Sequence, residues 1–133
     1  MQGDASGESD AVPVEDPSLD EETSRWLQGA RGFEGVEDRT GQDEVVIEVG
    51  AGDGLQYGPA AARVNPGTTI RWRWAGKGGL HDVAFVNVDV STSLKDKEGA
   101  TFTRTFESPG PYRYECTPYA GLGMRGAIIV TSK

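Results

Sequence analysis

The sequence contains a single cysteine and a single histidine among its 133 residues. One cysteine excludes a disulfide within the chain, so the fold must be held by its core, which one domain of this length can form. A structural zinc site is also excluded, because it needs four good donors such as Cys and His at paired spacing. The thiol and the imidazole are therefore the two side chains whose presence needs an explanation.

Long apolar runs are missing as well. No segment approaches the roughly 18 apolar residues that a transmembrane helix needs. Residues 1–20 lack the basic and apolar regions of a secretory signal. We therefore expect the chain as given to be soluble, without a signal peptide.

Positive charge is scarce at the N-terminal end. Residues 1–44 carry 13 Asp and Glu against 3 Lys and Arg, whereas residues 45–133 carry 8 against 10. We interpret residues 1–15 as an acidic, disordered leader, because such a tract cannot bury enough apolar surface to fold by itself. Arginine outnumbers lysine by 9 to 4, and few lysines with many carboxylates are compatible with a halophilic source.

A short helix is predicted within residues 16–43, a segment expected to pack on the body of the protein. Asp16 and Pro17 suit a helix cap and first turn, and Gly29 suits the stop. The apolar residues expected to contact the body are Leu19, Trp26 and Leu27.

From residue 44 to residue 133 the apolar period changes to two, which is typical of half-buried strands. Pro-Gly pairs at 66–67 and 109–110 are typical of type II turns between strands. The spacing predicts an antiparallel β-sandwich or barrel. Besides those around 45–49 and 70–74, strands are predicted at 61–64, 81–88, 101–106, 111–116 and 125–131. The expected core is Val45, Ile47, Ile70, Trp72, Phe85, Phe102, Phe106, Tyr112 and Ile129.

Two patterns resemble nucleotide-binding or nucleic-acid-binding motifs but do not match them. The run GAGDGL at 50–55 follows a predicted strand, but a dinucleotide fingerprint needs glycine where Leu55 stands. In RWRW at 71–74, strand alternation places the charges and the aromatics on opposite faces, which disfavours a nucleic-acid surface. We therefore expect no nucleic-acid partner.

His81, Cys116 and Met124 form the one set of residues that indicates chemistry. A thiolate and a thioether are soft ligands and an imidazole is borderline, a combination that suits copper cycling between Cu(I) and Cu(II). Cys116 ends a predicted strand and Met124 opens the next, so one loop can bring both sulfurs together while His81 enters from another strand.

Four stretches resemble the cupredoxins, and in particular the halocyanin-like blue copper proteins of halophilic archaea. They are DRTGQDEVVIEVG (38–50), VNPGTTIRWRW (64–74), GGLHDVAF (78–85) and PYRYECTPYAGLGMRGAIIV (111–130). The resemblance implies an all-β Greek-key cupredoxin sandwich, preceded here by the short helix and the acidic leader. It also implies one-electron transfer, a redox protein partner, and export with peripheral membrane association through a segment outside this chain.

The ligand set implied by the resemblance is His81, Cys116 and the axial Met124, with Tyr119 at the position of the second imidazole. The phenol oxygen is at the far end of a longer side chain, so Tyr119 does not overlay a histidine that binds through its inner ring nitrogen. Asp82 is a second departure, because the family commonly has Asn there and a carboxylate can only accept hydrogen bonds.

Tyr119 leaves several functions open. The first is a cupredoxin with an altered mononuclear copper site, including Tyr119 as an oxygen ligand, that transfers electrons or binds copper. The second is a copper-free cupredoxin that serves as an interaction module. A blue copper protein in which the ligand was deliberately changed from His to Tyr would have the same sequence. A thiol enzyme using Cys116 and His81 is the weakest alternative, because no third orienting residue can be named, and we expect no enzyme.

Overall fold

The computed structural model describes residues 19–132. The predicted leader at 1–15 lies outside these residues. The described part of the chain contains the helix α1 (Glu21–Gln28), nine strands and a 3₁₀ helix at Thr117–Leu122. The strands are β1 (Glu37–Asp38), β2 (Glu44–Ala51), β3 (Gln56–Gly58), β4 (Ala61–Val64), β5 (Thr69–Trp74), β6 (Ala84–Phe85), β7 (Thr101–Thr105), β8 (Gly110–Glu115) and β9 (Arg125–Val130).

The strands form two sheets, which confirms the predicted sandwich. One sheet has the order β1-β4-β9-β8-β6 and the other has the order β3-β2-β5-β7. The expectation of purely antiparallel pairing is wrong, because β2 pairs with β5, β4 with β9 and β1 with β4 in parallel. The chain crosses to the other sheet as β4 before it returns as β5, so β5 enters beside β2 in the same direction.

The core lies between the two sheets and follows the predicted alternation. In β2, Val45, Ile47 and Val49 are buried and the residues between them are exposed. Of the predicted core, only Phe102 and Tyr112 are half-buried rather than buried. Phe102 is on β7, at the edge of its sheet. Tyr112 keeps its ring tip near the surface, where its hydroxyl donates to the carbonyl of Ser108 at 2.7 Å.

The continuous strand predicted at 81–88 is wrong. Only Ala84–Phe85 forms a strand there, and it pairs with β8. His81 instead makes an isolated bridge to Lys95, and the Phe85 N–H donates to Val90. The segment is divided because its backbone groups bond to the connection at 90–95 as well as to β8, which apolar periodicity does not reveal.

The helix begins later than predicted and ends where predicted. It starts at Glu21, because Asp20 is the N-cap and accepts from the Thr23 N–H at 2.7 Å. Asp16 and Pro17 lie outside the described residues. Gly29 is the C-cap, and Leu27 is fully buried in a second apolar cluster with residues of β4 and β9. Within residues 19–132, no helix has the length and apolarity needed to cross a membrane.

Replacing Ile47 by alanine is expected to lower the free energy of unfolding by about 2–5 kcal/mol, because Ile47 is fully buried and the change leaves a cavity. Val46 is the matched control on the same strand, since it is 43% exposed, and Val46→Ala should change stability by less than about 0.5 kcal/mol. Chemical denaturation measures both. Equal losses in the two variants would contradict the assigned faces of β2.

Candidate metal centre

Cys116 and Met124 stand side by side at the base of one loop. Cys116 follows β8, Met124 precedes β9, and the Cys116 N–H donates to the Met124 carbonyl at 2.9 Å. The intervening 3₁₀ helix has proline in its first turn and ends at Gly123 with a left-handed φ of 88°. Both sulfur-bearing residues are completely buried. The antiparallel pairing of β8 and β9 therefore brings the two loop ends together, as the sequence predicts.

His81 reaches this loop from a different part of the sandwich. Its backbone N–H and carbonyl both bond to Lys95 at 2.9 Å, and its carbonyl also accepts from Nε1 of Trp74 at 3.1 Å. The imidazole is 1% exposed, and its Nδ1 lies 3.6 Å from Sγ of Cys116. The structure thus places together two residues that are 35 positions apart in the chain.

The backbone carbonyl of Lys77 determines which imidazole nitrogen is free. Nε2 of His81 lies 2.7 Å from this oxygen. A carbonyl can only accept, so the hydrogen is on Nε2 and the neutral ring has its lone pair on Nδ1. The lone pair of His81 therefore faces the thiol of Cys116.

Glycine is required where the loop at 76–79 covers the imidazole. A Cβ at Gly78 would lie 1.9 Å from the Gly54 carbonyl oxygen and 2.9 Å from Nε2 of His81. Gly78 also has a φ of +84°, which is unfavourable for residues with a Cβ. The absence of a side chain at this position lets the loop close over the ring. The run GKGG before His81 is the sequence signal that could have identified this contact.

The environment of Cys116 disfavours a free thiolate. Burial raises the pKa of the thiol to about 11, an effect that the Asp82 and Tyr119 backbone N–H groups partly oppose. The Asp82 carboxylate raises the pKa further through its negative charge. Without a metal, Cys116 is therefore a protonated, inaccessible thiol at neutral pH.

Tyr119 covers the imidazole from the loop side. Its ring meets the His81 ring edge to face, with centroids 5.4 Å apart and an interplanar angle of 64°. A Cβ at Gly79 would lie only 2.9 Å from the Tyr119 hydroxyl. The phenol oxygen is thus directed toward the loop at 76–79, and glycine at position 79 makes room for it.

Asp82 joins the His81 segment to the Cys116 loop. Its carboxylate accepts from the Thr117 N–H at 2.6 Å and from the Thr117 hydroxyl at 2.7 Å. Asp82 is only 7% exposed whereas Thr117 is exposed, so the two bonds link a buried carboxylate to a residue at the surface. Because both donors belong to Thr117, the acceptor-only character of a carboxylate suits this site. Neither Thr117 nor Lys77 stood out in the sequence.

The donor set fits copper in chemistry and in the one distance that joins two strong ligands. Metal–nitrogen and metal–sulfur bonds of about 2.0 and 2.3 Å place the two donor atoms roughly 3.5 Å apart at a tetrahedral angle. The 3.6 Å between Nδ1 and Sγ agrees with this separation. Across residues 19–132, no three His, Cys, Asp or Glu side chains converge as a metal cluster.

Comparison with known sequences agrees with this chemistry. Residues 43–131 match the family described as copper binding proteins, plastocyanin/azurin family. Halocyanin from Natronomonas pharaonis is 46% identical over 99 residues, a match that covers 71% of this chain and 61% of that protein's length. Plastocyanin from Daucus carota is 33% identical over 96 residues, covering 64% of this chain and 98% of the plastocyanin.

Solved structures show the same fold. An oxidized mutant of amicyanin superposes with a TM-score of 0.55 at 26% identity, covering 65% of this chain and 80% of amicyanin. Plastocyanin from Dryopteris crassirhizoma has a TM-score of 0.55 at 18% identity, covering 65% of this chain and all of that one. The two-sheet sandwich is therefore the cupredoxin fold, as predicted.

The variant Asp82→Ala is expected to lower the free energy of unfolding by about 1–3 kcal/mol, because it removes the carboxylate that accepts from both the N–H and the hydroxyl of Thr117. Asp96→Ala is the matched control on an exposed residue, with an expected change within about 0.5 kcal/mol. Urea denaturation compares the two. A wild-type stability in Asp82→Ala would show that the carboxylate is not needed to join the segments.

Proposed function

The chain belongs to the plastocyanin/azurin family of copper-binding proteins, and we propose that this halocyanin-like cupredoxin binds one copper ion and transfers single electrons. The observation that carries the proposal is the buried pair of Sγ and Nδ1, 3.6 Å apart, with the imidazole lone pair directed at the thiol. A histidine with only a structural role in the core does not need a free ring nitrogen directed at a cysteine sulfur. A cysteine that can bind as a soft thiolate, next to an imidazole nitrogen with a free lone pair, is an arrangement typical of metal ligands.

We assign His81, Cys116 and Met124 as the residues that hold the metal. Bound copper would supply a centre that gains and loses one electron. The protein contributes rigidity and dryness, since all three side chains are almost completely buried. Ligands that are held by Lys77 and by the paired loop ends move little when the charge at the centre changes, which favours rapid electron transfer.

Tyr119 takes the place of the second imidazole as a cover rather than as a ligand in this proposal. Its ring packs on His81 and its hydroxyl lies against Gly79. The ring excludes water from the imidazole, and the site relies on three protein ligands.

A thiol enzyme is disfavoured by the burial of Cys116. An activated nucleophile needs an accessible sulfur and a lowered pKa, whereas this thiol is completely buried and its pKa is raised. We therefore propose a carrier that exchanges electrons with a redox protein partner.

Export and peripheral membrane association are part of the same proposal. So is the division into a leader (1–15), a helical segment (16–43) and the cupredoxin domain (44–133).

A copper-free interaction module is the second candidate, and the packing of Tyr119 over His81 favours it. The Tyr119 ring already lies against the imidazole, so the metal-free protein has a closed surface there. Copper binding separates the two candidates.

Titrating the metal-free protein with Cu(II) is expected to produce an intense visible copper-thiolate band that saturates at one equivalent. Cys116→Ser should abolish the band, because it removes the sulfur. Absorption spectroscopy measures both. Saturating copper without a thiolate band in the wild type would support the copper-free module, and a band that persists in Cys116→Ser would refute the ligand assignment.

Tyr119→His is expected to tighten Cu(II) binding by at least about tenfold, because it adds a strong ligand and even outer partners of metal ligands change affinity by about 10–100-fold. Tyr119→Phe is the matched control, since it keeps the ring and removes the oxygen. It should retain the wild-type spectrum. A phenolate charge-transfer band in the wild type that disappears in Tyr119→Phe would show that Tyr119 coordinates.

A further inference from the structure

The N-terminal helix contacts the loop that carries Tyr119 and Met124. Helix α1 and the turn after it precede residue 43, where the family match begins. Nevertheless, Nε1 of Trp26 donates to the Gly126 carbonyl at 2.9 Å, and the Arg31 N–H donates to the Gly123 carbonyl at 2.7 Å. These two bonds are made on either side of Met124.

Arg125 connects the helix to the interior of the same loop. Its guanidinium carbon lies 4.6 Å from the centroid of the Trp26 ring, within the range of a cation–π contact. Its Nη2 also approaches the Ala120 carbonyl at 3.4 Å, a long hydrogen bond. One side chain therefore joins the indole of the helix to the 3₁₀ turn of the loop.

The backbones of the two segments are in direct contact. A Cβ at Gly123 would lie 2.6 Å from the Gly29 carbonyl oxygen and 3.3 Å from the Arg31 nitrogen. Gly123 therefore serves two purposes: its φ of 88° closes the loop, and its missing side chain admits the turn at 29–31.

The helix has a separate anchor away from the loop. Leu27 is fully buried with Ala61 and Ala127, and Glu22 pairs with Arg113 of β8 at 3.1 Å. These contacts hold the helix on the sheet independently of the hydrogen bonds that Trp26 and Arg31 make to the loop.

We propose that residues 20–31 are a positioning element for the metal-binding loop, residues 116–124. Trp26 and Arg31 immobilise the end of this loop that carries Met124. Inside the loop, the Met124 N–H donates to the Tyr119 carbonyl at 3.2 Å. The contacts of Arg31 with Gly123 and of Trp26 with Gly126, on either side of Met124, restrain this bond. The effect on copper rests on the proposed function, but the immobilisation of the loop does not. An extension outside the matched family domain thereby becomes part of the metal centre's support.

Hydrogen exchange of the metal-free protein tests this role without copper. In Trp26→Phe, which loses the indole N–H, the Gly123 and Met124 amides should exchange about two- to tenfold faster, as expected for one lost hydrogen bond. Arg25→Ala is the matched control on the same helix. The Arg25 side chain faces solvent, and its ion pair, at 3.4 Å, is with Glu21 of the same helix. This variant should leave the loop amides unchanged.

A second variant separates positioning from general destabilisation. Arg125→Lys keeps the charge but loses the planar group that lies over Trp26, and it should accelerate the same loop amides. The amides of β2 should keep their wild-type rates in all variants. Unchanged loop exchange in both Trp26→Phe and Arg125→Lys, or equal acceleration in the loop and β2, would overturn the proposal.

Copper then reports on the site itself. Trp26→Phe should shift the copper-thiolate band, whereas Arg25→Ala should reproduce the wild-type spectrum. A loosened loop with an unshifted band would overturn the inferred effect on the ligands. If the wild type shows no thiolate band, the proposed function fails, and hydrogen exchange still decides whether the helix positions the loop.

Discussion

The hydrogen bond between Nε2 of His81 and the Lys77 carbonyl is the interaction on which the site depends. It determines the tautomer, and the tautomer leaves the Nδ1 lone pair directed at the Cys116 sulfur. The bond itself depends on the glycines that let the loop at 76–79 approach the ring. A side chain at Gly78 would separate this loop from its neighbour, and the imidazole would lose the partner that orients it.

The loop at 116–124, which carries the proposed ligands Cys116 and Met124, is held from three sides. Its ends pair with each other through Cys116 and Met124, Asp82 binds the Thr117 end, and the N-terminal helix contacts the opposite end. Two of these restraints come from distant parts of the chain, so the loop is positioned by the sandwich and the helix as well as by its own sequence. Such support is what a centre needs if its ligands are to stay in place when its charge changes.

Much of the fold could be predicted because half-buried strands carry a simple signal. The alternation in β2 and β5 reflects one face against the core and one toward solvent, and it identified their buried residues. The segment at 81–88 was predicted wrongly because its apolar residues bond to two different stretches of backbone. Parallel pairing of β2 with β5 was also missed, since periodicity carries no information on which strand lies beside another.

The sequence by itself determined the chemistry: the only thiol, the only imidazole and the Met124 thioether, at a spacing that allows a single loop to join the two sulfurs. The resemblance to the cupredoxins added that Tyr119 stands where a second imidazole is expected. Tertiary structure decided how those groups are presented. The distance between Nδ1 and Sγ, the direction of the Tyr119 hydroxyl and the contact of the helix with Gly123 all arise between segments far apart in the chain. Side-chain chemistry is a local property of the sequence, whereas these geometries depend on how the two sheets pack and which backbone groups meet across them.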